Sequence, residues 1–178
     1  MPPVLVQQGE GCMQKKGLNA GKFDWPKGFH PELFRVEDRL SVLDGLVSLW
    51  EVSVRSTHDF LSESDIVQLK PVVRMALESV PQLWGMADCA GKWMAFMGID
   101  GAMLEMLFVH PAAQGLGLGR RLTGMAVYEQ GVRFVDVNEQ NQEASGFYQR
   151  IGFSFAGRSE TDGQGNPFPI LHLKWCHE

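Results

Sequence analysis

Three glycines within five residues, Gly115, Gly117 and Gly119, stand in the stretch EMLFVHPAAQGLGLGRRL from Glu105 to Leu122. An apolar run precedes them, and two arginines and a helical pattern follow, so the order is strand, loop, glycine turn, helix. The chemistry of such a turn is anion binding. Glycines let the backbone come close to a ligand and adopt positive φ. The first amides of the helix point outward unpaired, with the helix dipole behind them. Spacing decides which anion. A P-loop needs two glycines five apart and then Lys-Ser/Thr, whereas Gly119 is followed by Arg120-Arg121. A dinucleotide fingerprint needs G-x-G-x-x-G; counted from Gly115 the sixth position is Arg120, and from Gly117 it is Leu122. The pattern present is Q-x-x-G-x-G on Gln114, Gly117 and Gly119, which would lay a pyrophosphate across the amides of residues 115–120.

The other chemistry-bearing residues narrow the field. The histidines have no zinc spacing, so no metal is expected. Cys12, Cys89 and Cys176 are odd in number and far apart, which fits neither a disulfide framework nor a metal site and suits a reducing cytoplasm. Net charge is −5 and the basic residues are scattered, which argues against nucleic acid and mildly favours a cationic partner such as an amine. No apolar run is long enough to span a membrane, and the N-terminus lacks the layout of a secretory signal.

These residues need a scaffold. With 178 residues, 44% of them apolar and 21% charged, one domain with a proper core is expected. Residues 1–31 are rich in glycine and proline and read as an irregular N-terminal extension, with Phe23 and Trp25 as potential anchors; the domain spans 32–178. Leu33–Val36 reads as a strand, Asp38 to about Thr57 as an amphipathic helix, and Ser62 with Asp65 as a capping box opening a second helix. Pro71 predicts a kink or a fresh start within that helix. Strands follow at 83–88, 93–99 and 103–109, then a helix at 119–130 and a strand at 132–137. Asn141 caps a helix over 142–151 that Gly152 stops, and strands at 153–158 and 169–175 close the chain. The order βααβββαβαββ is an α/β domain with a mixed central sheet flanked by helices.

Two blocks, the Gln114 turn with its strand and Asn141-x-x-Ala144-x-x-Phe147-Tyr148-x-x-x-Gly152-Phe153, together resemble the GNAT superfamily of acetyl-CoA-dependent N-acetyltransferases over about residues 33–175. The resemblance implies the acyl-CoA N-acyltransferase fold and acetyl-CoA as co-substrate. It implies an acceptor that is a small-molecule amine or a peptide lysine, with direct transfer in a ternary complex. The alternative is an acyl-CoA-binding or regulatory module without chemistry. A homodimer is expected by analogy alone.

By the same resemblance, the strands 103–109 and 132–137 run parallel and splay. The backbone of Leu107, Phe108 and Val109 then takes the pantetheine arm. The pyrophosphate reaches the turn Gln114, Gly115, Leu116, Gly117, Leu118, Gly119 and Arg120, with Arg121 beside it. Arg120 and Arg121 read equally as a solvated first helical turn. Asn141 is a plain N-cap or also a partner of pantetheine. Tyr148, seven residues on, is the implied proton donor to the departing thiolate, or a core tyrosine. Glu105, by strict alternation on the same strand face as Leu107 and Val109, is the first choice of general base, and His58 the second. Each also has a plain reading, as a charged wall residue and as a helix C-terminal histidine. The Val109 amide would meet the oxyanion.

Overall fold

The alternating and helical hydrophobic patterns resolve, in a computed structural model describing residues 31–176, into the predicted order. The strands are β1 (Glu32–Arg35), β2 (Gln82–Ala87), β3 (Trp93–Asp100), β4 (Met103–Val109), β5 (Phe134–Asn138), β6 (Phe153–Ser159) and β7 (Ile170–Trp175). The helices are α1 (Leu43–Thr57), α2 (Glu63–Ser79), α3 (Leu118–Tyr128) and α4 (Gln142–Ile151). Apart from Pro31, the irregular N-terminal extension lies outside the described residues, with its anchors Phe23 and Trp25, and so does Cys12.

One seven-stranded mixed sheet runs β1-β2-β3-β4-β5-β7-β6. Its alternation feeds two cores. Ala95, Met97 and Ile99 of β3 join α3, Tyr148 of α4 and the inner residues of β5 and β7, while Phe96 joins the α1 and α2 core. The helices α1 and α2 cover one face of the N-terminal half of the sheet; α3 and α4 pack on the other face.

Ser62 accepts the Asp65 amide at 3.2 Å, and the Asp65 carboxylate accepts the Ser62 amide at 2.8 Å. This is the expected capping box. Removing it by Ser62→Ala should cost about 1 kcal/mol, read as a lowered urea midpoint with unchanged slope.

Two local expectations are corrected. Helix α2 runs through Pro71 without a new start. Pro71 and Val67, whose carbonyl the proline leaves unbonded, are both exposed, so water can satisfy that carbonyl. Helix α1 begins at Leu43 rather than Asp38. Leu40 is 79% exposed, and the Arg39 guanidinium instead binds the carbonyls of Leu77 and Glu78 in the last turn of α2 and of Pro81 just beyond it.

Candidate active site at the divergence of β4 and β5

Strands β4 and β5 are parallel but pair only at Met103–Phe134 and Leu104–Val135. Beyond that, β5 continues against β7 and β4 continues against β3, so a gap opens between them. The His110 amide donates to the Met94 carbonyl at 2.8 Å. In an antiparallel ladder this turns the backbone of Phe108 toward β3 and that of Leu107 and Val109 toward the gap. Phe108 therefore does not offer its backbone as expected; its ring packs on Phe96 at 5.4 Å. Unpaired backbone groups along the gap need partners, and an amide-bearing arm laid alongside would supply them.

At the top of the gap stands the glycine turn. A short 3₁₀ turn, Pro111–Ala113, was not foreseen; His110 caps it by accepting the Ala112 amide on Nδ1 at 3.1 Å. Gly115 and Gly117 then take φ of 75° and 85°, a region disfavoured for any residue with a Cβ. Two amides expected to face an anion are already engaged. Gln114 donates to Pro111 at 3.2 Å and Leu116 to Ala113 at 3.4 Å. The first amide to donate back into α3 is Arg121, to Gly117 at 3.0 Å, which leaves Leu118, Gly119 and Arg120 at the helix mouth. Gly117 caps α3 with no side chain, so nothing of its own covers those amides. Leu118 itself is buried, and Arg120 and Arg121 are exposed. Gly119 lies beside Phe147 and Val109, and a Cβ there would make ordinary contacts at 3.4 and 3.8 Å. Gly117→Ala forces a left-handed alanine at a cost of ~1–2 kcal/mol. It should lower the urea midpoint with unchanged slope.

Glu105 is displaced by a β-bulge. Ile99 pairs with Leu104 and Gly98 with Met106, so Glu105 has no partner in β3. Alternation restarts there: Leu104, Leu107 and Val109 belong to the α3 core and Met106 and Phe108 to the α1–α2 side. Glu105 consequently does not share a face with Leu107 and Val109. It lines a cavity of about 260 Å³ with Ser79, Pro81, Asp100 and Met106, at the C-terminal end of α2. Partial burial, and then the carboxylates of Asp100 and Asp136, push the Glu105 carboxyl above its usual range. That favours a group able to accept a proton near neutral pH.

Tyr148 is 6% exposed, edge-on to Phe147 and Phe153 with centroids at 5.0 and 5.5 Å. Leu107 and Val109 pack on the same core. Burial pushes the Tyr148 phenol above its ordinary range, so it stays protonated.

His58 meets Asn141 across the cleft, with Nε2 3.3 Å from the Asn141 amide nitrogen. Asn141 also caps α4, accepting the Ala144 amide at 3.0 Å. Burial pushes the His58 imidazole down, so it is neutral at pH 7. Ser53, buried in α1, was missed; its hydroxyl donates to the Val109 carbonyl at 2.8 Å. Ser53 and Thr57 interrupt the apolar face of α1 four residues apart, which is the sequence signal that was available. On the sheet face left open by α2, Ser159, His172 and Asp136 form a chain of two 2.7 Å hydrogen bonds across β6, β7 and β5. This chain staples the three strands, and Asp136 adds its charge to the surroundings of Glu105.

Proteins of similar sequence and fold are known. Residues 79–155 match the family described as acetyltransferase (GNAT) domain. The chain is 39% identical over 130 residues to peptidyl-lysine N-acetyltransferase YjaB of Escherichia coli (strain K12), covering 73% of this chain and 88% of that protein. It is 30% identical over 118 residues to peptidyl-lysine N-acetyltransferase YiaC of the same organism, covering 66% and 80%. The solution structure of apo YjaB superposes with a TM-score of 0.73 at 34% identity, over 84% of this chain and 99% of that one. PaiA N-acetyltransferase from Thermoplasma acidophilum, solved with coenzyme A, shares the fold with a TM-score of 0.61 at 18% identity, over 82% and 99%.

Proposed function

This chain belongs to the GNAT family of acetyltransferases and moves acetyl from acetyl-CoA to an amine; from that premise we propose that its acceptor is the side-chain amine of a lysine within a peptide. The observation that carries this proposal is the cavity at the Glu105 bulge, where Asp100 and Glu105 line the wall and Asp136 lies near enough to act on Glu105. Carboxylates gathered there favour an ammonium, and two relatives, YjaB at 39% identity and YiaC at 30%, carry the name peptidyl-lysine N-acetyltransferase.

In this proposal Leu107 and Val109 hold the pantetheine arm through their gap-facing backbone. The amides of Gly115 and of Gly117 to Arg120 hold the pyrophosphate, with Arg120 and Arg121 adding charge. Glu105 takes a proton from the lysine ammonium, directly or through water. The freed amine attacks the thioester carbon, the Val109 amide faces the oxygen that gains charge, and the C–S bond breaks. Tyr148 gives its proton to the departing sulfur, and the second proton that the attacking nitrogen sheds as it becomes a neutral amide returns to the Tyr148 oxygen, directly or through water. No acetyl-enzyme forms. A cytoplasmic setting fits three cysteines in no disulfide pattern. No helix among the described residues is long and apolar enough to cross a membrane.

The test is thiol release from acetyl-CoA with a panel of internal-lysine peptides and free amines, the product located by mass spectrometry. Peptides should exceed free amines in kcat/KM by about tenfold, equivalent to ~1.4 kcal/mol of recognition. Turnover of small amines alone would remove the peptide acceptor. Intact mass after acetyl-CoA alone should show no added acetyl group; an adduct would replace direct transfer with a covalent route.

A further inference from the structure

His58 is the junction of an ordered chain of hydrogen bonds whose directions can be worked out. The Thr57 hydroxyl donates to the Ser53 carbonyl at 3.0 Å, so its oxygen must accept from its other neighbour. That neighbour is His58 Nδ1 at 2.8 Å, which therefore carries the ring proton. Nε2 is left as the acceptor, 3.3 Å from the Asn141 amide nitrogen, which donates. The Asn141 oxygen is committed to the Ala144 amide at 3.0 Å. Every donor and acceptor in the series fits one arrangement and no other. It runs from the end of α1 to the first turn of α4. Ser53 ties the same turn of α1 to Val109 on the wall of the gap at 2.8 Å. The His58 ring also packs on Phe60 at 5.2 Å, and Phe60 meets Phe168, in the segment joining β6 to β7, at 6.1 Å.

Resting on the acetyl-CoA site proposed above, we propose that His58 is a positioning residue that locks the Asn141 amide for acetyl-CoA and releases it when the ring takes up a proton. A protonated imidazole has two donors and no acceptor, so Nε2–H would face the Asn141 NH₂. Asn141 can relieve that clash only by turning its amide, which gives up the cap on Ala144 and misaligns the first turn of α4. Among the described residues, the neighbouring Asp59 is the charged group acting on the ring, and it favours protonation. Burial outweighs it and holds the imidazole below the ordinary histidine range. Asn141 from α4, Thr57 from α1, and Phe60 and Phe168 carry no charge. The sign follows: the lock holds at neutral and alkaline pH, and acetyl-CoA affinity falls as pH drops through the depressed histidine pKa.

The experiment is calorimetric titration of the full chain with acetyl-CoA from pH 8 to 5, with turnover measured in parallel. The wild type should weaken on acidification. His58→Ala should bind about tenfold more weakly at pH 8, because the Asn141 amide loses its acceptor. His58→Gln presents an acceptor oxygen and no titratable group. It should keep Kd and kcat within about threefold of wild type and lose the acid weakening. If His58→Gln keeps Kd but abolishes kcat, His58 is the general base and not a positioning residue. Wild-type affinity that is flat with pH overturns the lock. If the wild type does not bind acetyl-CoA at pH 8, the site assignment fails before the role of His58 is tested.

Discussion

Tyr148→Phe should lower kcat by about 10²–10³-fold while leaving the Kd for acetyl-CoA within about twofold of wild type. The phenyl ring keeps the edge contacts to Phe147 and Phe153, so the core of α4 is not emptied. What goes is the phenolic proton that the proposed mechanism gives to the departing thiolate. Burial raises the Tyr148 phenol, which keeps it a donor through the working range and puts no alkaline limb from it near neutral pH. The check is steady-state thiol release with saturating peptide, beside calorimetry with acetyl-CoA. Unchanged turnover would leave Tyr148 as a core tyrosine and assign the proton to solvent.

Glu105→Gln should cost about 10²-fold in kcat/KM at neutral pH and erase the acid limb of the profile. The sign follows from the proposed role, in which the carboxylate is the active form. Because burial, Asp100 and Asp136 raise its pKa, the wild-type rate rises with pH across a window above the usual carboxylate range. The variant should regain rate only as pH approaches ~10, where lysine deprotonates unaided. Stability provides a control. A carboxyl raised in the folded state contributes stability at low pH that is lost as pH rises through its folded value. The neutral amide escapes that loss, so the variant should melt no lower than wild type at pH 7. An acid limb that survives in Glu105→Gln would move the base to another group or to water.

Much of the scaffold was legible because it rests on local chemistry. Ser62 and Asp65 cap α2, Asn141 caps α4, Gly152 ends it with φ of 119°, and Gly115 and Gly117 sit where only glycine is comfortable. The element order follows from these marks and from the hydrophobic periods between them. Pro71 did not separate a kink from a new start, because a proline warns of a lost hydrogen bond, and whether that loss ends a helix depends on which side faces water; α2 continues through it. The glycine turn was legible in outline. Which of its amides are free was not, because Gln114 and Leu116 donate back to Pro111 and Ala113 of a 3₁₀ turn that no pattern announced.

Glu105 marks the boundary most clearly. The family resemblance made it the first choice of base, beside a plain reading as a charged wall residue, and period-two alternation put it on the face of Leu107 and Val109. A bulge is one extra residue in one strand, settled by pairing with a partner strand, so nothing in β4 alone reveals it. The sequence by itself determined the family, the order of elements, the glycine turn and the residue types at the site. Only the tertiary structure decided that Glu105 turns toward α2, that Phe108 faces β3, and that His58 reaches Asn141, eighty-three positions along the chain. The physical reason is range. Caps and turns are satisfied by neighbours a few residues away, whereas registers, gaps and cross-cleft hydrogen bonds depend on partners that only folding brings together.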